Sequence, residues 1–136
     1  MSFDKVSLIK GVVFDLDNTL LDFMKMKQVA VRSAIRGMIE AGLKIDEDKS
    51  FDNIISLYEQ IGWENQKVFD VFLENSIGYV DNKFLAAGVV AYRRAREANL
   101  LAYPNVNKTL IDLTKLGIKL AVVSDAPSRE AWMRIY

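Results

Sequence analysis

The sequence predicts an α/β protein: a partial parallel-sheet core with four helices inserted into it. Three observations carry that expectation. Residues 8–14 and 118–123 are short apolar runs rich in β-branched side chains, the composition of strands in a buried parallel sheet. Each run stops abruptly at oxygen-bearing side chains, Asp15, Asp17, Asn18 and Thr19 after the first and Ser124 and Asp125 after the second. Between the two runs, apolar residues recur at helical spacing.

Taken in order, the first run reads LIKGVVF and gives way to loop and cap residues at Asp15. A helix is expected over 24–41, where Val29, Ile35, Met38 and Ile39 are compatible with one face and Gly42 is the stop. Ser50 is a candidate cap for a second helix, which carries Ile54, Ile55, Leu57, Tyr58 and Ile61 up to Gly62. A third holds Val68, Phe69, Phe72 and Leu73 before Gly78. A fourth runs over 81–98 through Phe84, Leu85, Val89, Val90 and Tyr92, with Arg93, Arg94, Arg96 and Glu97 read as a solvated face. Packed together, these four make a small bundle. Pro104 marks a return point in the chain. Asn105 or Asn107 can cap a helix with Val106, Leu110, Ile111, Leu113 and Leu116, and Gly117 suits the position just past its end. The second strand follows. Pro127 and Ser128 then start a final helix over 129–136.

Composition narrows the chemistry. The 136 residues fit one ordinary domain, about half apolar and a quarter charged. Basic and acidic residues balance at 18 each, so no global field favours nucleic acid or an anionic membrane. The N-terminus lacks the apolar core of a leader peptide, and no apolar run approaches a membrane span, so a cytoplasmic protein is expected. There is no cysteine and no histidine. Thiol nucleophiles, histidine triads and histidine metal sites are therefore excluded within these residues. What remains is carboxylate, hydroxyl, lysine and arginine chemistry, for which a hard cation such as magnesium is the natural partner.

In an open parallel sheet, ligands bind beyond the carboxyl ends of the strands. The two polar strand ends meet there if the strands are parallel neighbours. A carboxylate at that edge is ionised at neutral pH and needs no base to act as a nucleophile; held in line with phosphorus, it can form an acyl-phosphate. A second carboxylate two positions on projects to roughly the same side and can protonate a leaving oxygen, then deprotonate water. A phosphate dianion repels both, so a divalent cation is almost required. A serine hydroxyl can bond a non-bridging phosphate oxygen.

The run Val12-Val13-Phe14-Asp15-Leu16-Asp17-Asn18-Thr19-Leu20 resembles the first motif of the haloacid dehalogenase superfamily, an apolar strand followed by Asp-x-Asp-x-Thr. Leu120-Ala121-Val122-Val123-Ser124 resembles its second, and the stretch from Tyr103 to Gly117 resembles the approach to that second strand. The resemblance implies a Rossmann-like core at 1–20 and 103–136, incomplete here, and a helical cap at 21–102. It implies a Mg2+-dependent phosphatase in which Asp15 is nucleophile and metal ligand. Asp17 is the acid/base and offers its backbone carbonyl to the metal, and Thr19, Ser124 and Asp125 attend the loop and the phosphate. An acid at Asp17 favours phosphate esters over carbon–halogen bonds. The partner implied is a small phosphorylated metabolite, not nucleic acid or membrane. Lys25, Lys27 and Phe23 follow the first motif, where a hinge and the underside of a cap would lie, although a helical lysine is most simply solvated.

Other readings stay open. Asp15 and Asp17 can merely end a strand and cap a helix. Ser124 and Asp125 can form a simple turn, with Asp125 capping the last helix. Trp63 and Trp132 read most simply as packing. The superfamily's third motif, a lysine, and its acidic fourth motif are not found, since only eleven residues follow Asp125, and Arg129 and Arg134 are not at the lysine's expected place. Two strands make a small core with an unpaired edge. The expectation is thus a chain completed by a missing C-terminal part or by a dimer partner, with little turnover alone. A phosphomutase, a non-catalytic binding or regulatory module, and a phosphoacceptor receiver domain are the alternatives.

Overall fold

A computed structural model of the protein describes residues 8–136; the first seven residues of the stretch read for a leader lie outside the described residues. The elements run β1 (Gly11–Phe14), α1 (Phe23–Glu40), α2 (Glu47–Ile61), α3 (Val68–Ile77), α4 (Asn82–Asn99), α5 (Val106–Lys115), β2 (Lys119–Val122) and α6 (Ser128–Ile135). The fold is α/β, as expected, with six helices and one small parallel sheet among the described residues. Two compact units result, one joining the chain up to Phe23 with Leu100–Tyr136, the other Met24–Asn99.

The strand-bearing unit is built on β1 and β2, which pair in parallel with Val12 opposite Leu120 and Phe14 opposite Val122. Strand alternation sends these four side chains to one face and Val13 to the other, where Val13 is 64% exposed. β1 is shorter than the apolar run that predicts it, although the Lys10 carbonyl still accepts from the Lys119 amide at 3.0 Å. α5 packs on β2. Its end forms a Schellman arrangement: the Gly117 amide donates to the Thr114 carbonyl and the Ile118 amide to the Leu113 carbonyl. Gly117 takes φ +76°, which suits a residue without Cβ. Asn105 does stand at the start of α5, but in a left-handed conformation and without a side-chain cap bond. The last helix begins at Ser128, after Pro127.

The helical unit contains α1 from Met24, α2, α3 and α4. Its core joins Val31, Ile35 and Met38 of α1 to Ile54 and Tyr58 of α2 and to Val68, Phe69, Phe72 and Leu73 of α3. Most of the apolar stripes read from the sequence meet here, but Ile39, Ile61 and Val90, expected on the same faces, are exposed and lie outside this core. The cap of α2 differs from expectation. Asp46, not Ser50, caps it by accepting from the Lys49 amide at 2.8 Å. Glu47 and Asp48 then place negative charge in the first turn, where the helix dipole favours it. Ser50 is buried one turn further in. Among the described residues, no helix is long and apolar enough to cross a membrane.

Candidate active site

Asp15 directly follows β1. It is exposed, and its Oδ1 accepts from the Leu16 amide at 2.8 Å. The loop after it is held from beneath. Leu16 and Leu20 are buried, and the Leu16 carbonyl accepts from the amides of Leu20 at 2.9 Å and Leu21 at 3.2 Å. Asn18 turns the chain at φ +58°, a region that asparagine tolerates better than most residues, and its amide donates to the Leu21 carbonyl at 2.7 Å. The loop's exit is tied down too. The Tyr103 amide donates to the Leu20 carbonyl and the Asp22 amide to the Leu101 carbonyl, each at 3.0 Å. Partial burial, followed by the neighbouring Asp22 carboxylate, raises the Tyr103 phenol above its ordinary value.

The end of β2 meets this loop. One more ladder bond, from the Val123 amide to the Phe14 carbonyl at 2.9 Å, carries the pairing to the last residue before Ser124. The parallel register thus brings the ends that bear Asp15 and Ser124 to the same carboxyl edge, as expected for parallel neighbours. Ser124 is half-buried, and its Oγ accepts from the Ala126 amide at 3.1 Å. That bond uses a lone pair and leaves the hydroxyl hydrogen for an acceptor. Thr19 and Asp125 are both exposed. On the helix-covered face of the sheet lies a cleft of about 550 Å³, lined by Phe14, Leu20, Leu120, Val122 and Trp132, with Ser124 and Ser128 at its polar margin. Its lining is mostly apolar, and one of its polar groups, Ser124, stands at the carboxyl end of β2.

The contacts of two residues escape the sequence. Arg134 Nη1 donates to Asp17 Oδ2 at 2.7 Å, and the Arg134 side chain is only 8% exposed. The guanidinium lies 4.6 Å from the centre of the buried Phe23 ring. No local spacing signals this contact, because 117 residues separate the partners. Within the helical unit, Lys27 is buried rather than solvated. Its Nζ donates to the Trp63 carbonyl and the Tyr92 hydroxyl, each at 2.8 Å, and lies 3.8 Å from the Tyr58 ring centre. Burial first, and Tyr92 and Glu64 after it, push the Tyr58 phenol well above its ordinary value.

The donor set available to a metal is modest. Among the described residues no three acidic side chains gather. The loop offers the exposed Asp15 carboxylate and backbone carbonyls, all hard oxygens. Magnesium fits such a set, because it keeps several waters and takes one or two carboxylates together with phosphate oxygen.

The sequence matches the haloacid dehalogenase-like hydrolases over residues 9–136. It is 33% identical to a glyceraldehyde 3-phosphate phosphatase of Methanocaldococcus jannaschii over 128 residues, covering 94% of this chain and 56% of that protein. The chain spans about half the length of the curated relatives it matches. The fold is similar to a Thermotoga maritima structure assigned as a beta-phosphoglucomutase, with a TM-score of 0.67 and 24% identity, covering 93% of this chain and 55% of the other. It is also similar to a HAD-hydrolase of Bacillus subtilis bound to magnesium, with a TM-score of 0.56 and 19% identity, covering 93% and 57%. With an Asp-x-Asp-x-Thr loop and a serine at the ends of two paired parallel strands, and a family match across nearly all of its length, this chain belongs to the haloacid dehalogenase-like hydrolases.

Proposed function

We propose that this chain carries the nucleophile-bearing part of a phosphate monoester hydrolase acting on a small phosphorylated metabolite. The observation that carries the proposal is the parallel register that ends β1 and β2 at one edge, with Asp15 beyond one strand and Ser124 beyond the other. Asp15 attacks phosphorus in line and expels the alcohol, forming an aspartyl-phosphate. Asp17 gives the departing oxygen its proton and then takes one from the water that cleaves the acyl-phosphate. Ser124 donates its hydroxyl hydrogen to a non-bridging oxygen, and Thr19 and Asp125 border the same edge. Magnesium would be held by the Asp15 carboxylate and the Asp17 backbone carbonyl. When bound, it supplies the positive charge that lets the phosphate dianion approach a carboxylate.

The helical segment 21–102 is assigned the role of a cap that excludes water during the reaction. The names of the curated relatives make a three-carbon sugar phosphate the first substrate to try. Because the chain spans about half the length of its curated relatives, further lysine and acidic groups are expected from a C-terminal part or a partner chain, and little turnover from these 136 residues alone. The test is hydrolysis of glyceraldehyde 3-phosphate and of p-nitrophenyl phosphate with Mg2+, by the 136-residue chain and by the protein in its full natural length. Asp15→Asn is expected to lower turnover of the full-length form by roughly a thousandfold or more. Borohydride reduction during turnover should convert Asp15 to homoserine. Unchanged activity in Asp15→Asn would sink the mechanism. Efficient turnover by the 136 residues alone would sink the need for completion.

A further inference from the structure

We propose that Arg134 is a positioning residue that fixes the side chain of Asp17 for proton transfer to the leaving group. The inference rests on the acid/base role given to Asp17 above. Arg134 belongs to α6, a helix that buries none of its residues fully. Its neighbours Trp132, Met133 and Ile135 are 58%, 54% and 48% exposed. The Arg134 side chain, by contrast, is only 8% exposed. Arg129, on the same helix, remains 81% exposed.

The geometry limits the freedom of both partners. The guanidinium is planar and presents its donors in a rigid fork. Here one donor is 2.7 Å from Asp17 Oδ2, while the Phe23 ring lies 4.6 Å from the guanidinium carbon. Phe23 is itself 6% exposed and cannot readily move aside. Asp17 sits in a loop whose backbone is fixed by the Leu16 carbonyl and the left-handed Asn18. With the backbone set, the remaining freedom lies in the side-chain torsions, and Arg134 restricts them. A proton donor must lie within hydrogen-bond reach of the departing oxygen, and a misplacement of ~1 Å can cost about a hundredfold in rate.

The same contact could serve only to tether α6, so the test must separate the two roles. In full-length protein with Mg2+, kcat and KM are measured for p-nitrophenyl phosphate, whose leaving group departs without a proton, and for glycerol phosphate, whose alkoxide needs one. Arg134→Met is expected to lower kcat on both esters, with a loss on glycerol phosphate at least tenfold greater and little movement of KM. Arg134→Lys, which keeps the charge but not the fork, should recover part of that difference and guards against a folding defect in the methionine variant. In an Asp17→Asn background, the extra loss on glycerol phosphate should vanish. Equal losses on the two esters, or no loss on either, would overturn the proposal and leave Arg134 a tether. If the unmodified protein hydrolyses neither ester, the phosphatase reading itself fails, and this proposal falls with it.

Discussion

Replacing Lys27 by methionine keeps most of the side-chain volume and removes the ammonium, and the surroundings of Nζ allow the consequence to be worked out. The gross loss is large. Two hydrogen bonds from a charged donor contribute about 1.5–3 kcal/mol each, and the cation over the Tyr58 ring adds about 0.5–2 kcal/mol. Against this, removing a buried charge recovers a desolvation cost of several kcal/mol. The two sums nearly cancel, so the net effect turns on what methionine leaves behind. Tyr92 retains its hydrogen bond with Tyr58, so its hydroxyl keeps a partner. The Trp63 carbonyl loses its donor, at a cost of about 1–3 kcal/mol. Lys27→Met should therefore destabilise the helical unit by about 2 kcal/mol. Lys27→Ala also empties a packed site, and at ~0.8 kcal/mol per buried methylene it should lose about 4 kcal/mol. The exposed Lys44→Met is the control and should stay within about 0.5 kcal/mol. Urea unfolding followed by Trp63 fluorescence, in a Trp132→Phe background, reports the helical unit selectively, because Trp63 stacks on Tyr58 at 5.7 Å. A Lys27→Met protein as stable as its parent would refute this reasoning and show that relief from desolvation outweighs the lost hydrogen bonds.

The raised Tyr58 phenol makes a second expectation at high pH. Its folded value lies above the ordinary 10.0, so the folded state keeps a proton that the unfolded chain releases. Stability from this group is complete below pH ~10 and falls as pH rises above it. Tyrosinate absorbance should therefore show one of the five tyrosines ionising only as the helical unit unfolds; reversible titration of all five in folded protein would contradict this. A third expectation concerns Gly37 on α1. Helix propensity alone predicts that Gly37→Ala gains up to about 1 kcal/mol. A Cβ there, however, would lie 3.0 Å from the Ala87 carbonyl oxygen and 3.0 Å from the Ala91 Cβ on α4. Net destabilisation of about 1 kcal/mol is expected, and more for Gly37→Val; a raised Tm for Gly37→Ala would show that the two helices can part easily.

Elements whose cause is local were legible in the sequence. Apolar periodicity marked all four helices of the insertion, and Gly62, Gly78 and Gly117 marked the ends of α2, α3 and α5, where the chain takes positive φ. The two strands were legible from apolar runs that stop at polar residues, and they pair in parallel. What misled was competition among equally plausible local signals. Ser50 and Asp46 can both cap a helix, and nothing before the structure shows that α2 begins a turn earlier, with its acidic residues against the dipole. What was invisible was tertiary. Lys27 has the sequence surroundings of a solvated lysine, and only the convergence of Trp63, Tyr58 and Tyr92 from three other segments buries it. Arg134 was set aside for its position in the chain, yet the fold carries it to Asp17.

Burial is distributed unevenly within the strand-bearing unit, and the unevenness favours the loop after β1. Its buried residues among those described are Leu16, Leu20 and Phe23, all in or just after the loop that follows β1. β2, α5 and α6 bury none, and Val13 and Val123 are 64% and 66% exposed. The loop is therefore anchored by its own leucines, by the Leu16 carbonyl and by the paired connectors at Leu20–Asp22 and 101–103, more firmly than by the sheet from which it springs. Hydrophobic stabilisation scales with area removed from water, so covering the open sheet face would add stability chiefly to the strands and leave the backbone around Asp15 and Asp17 nearly as it stands. The conformation of the loop bearing Asp15 and Asp17 is thus set by its own buried leucines and its connectors, and the open sheet contributes less to it.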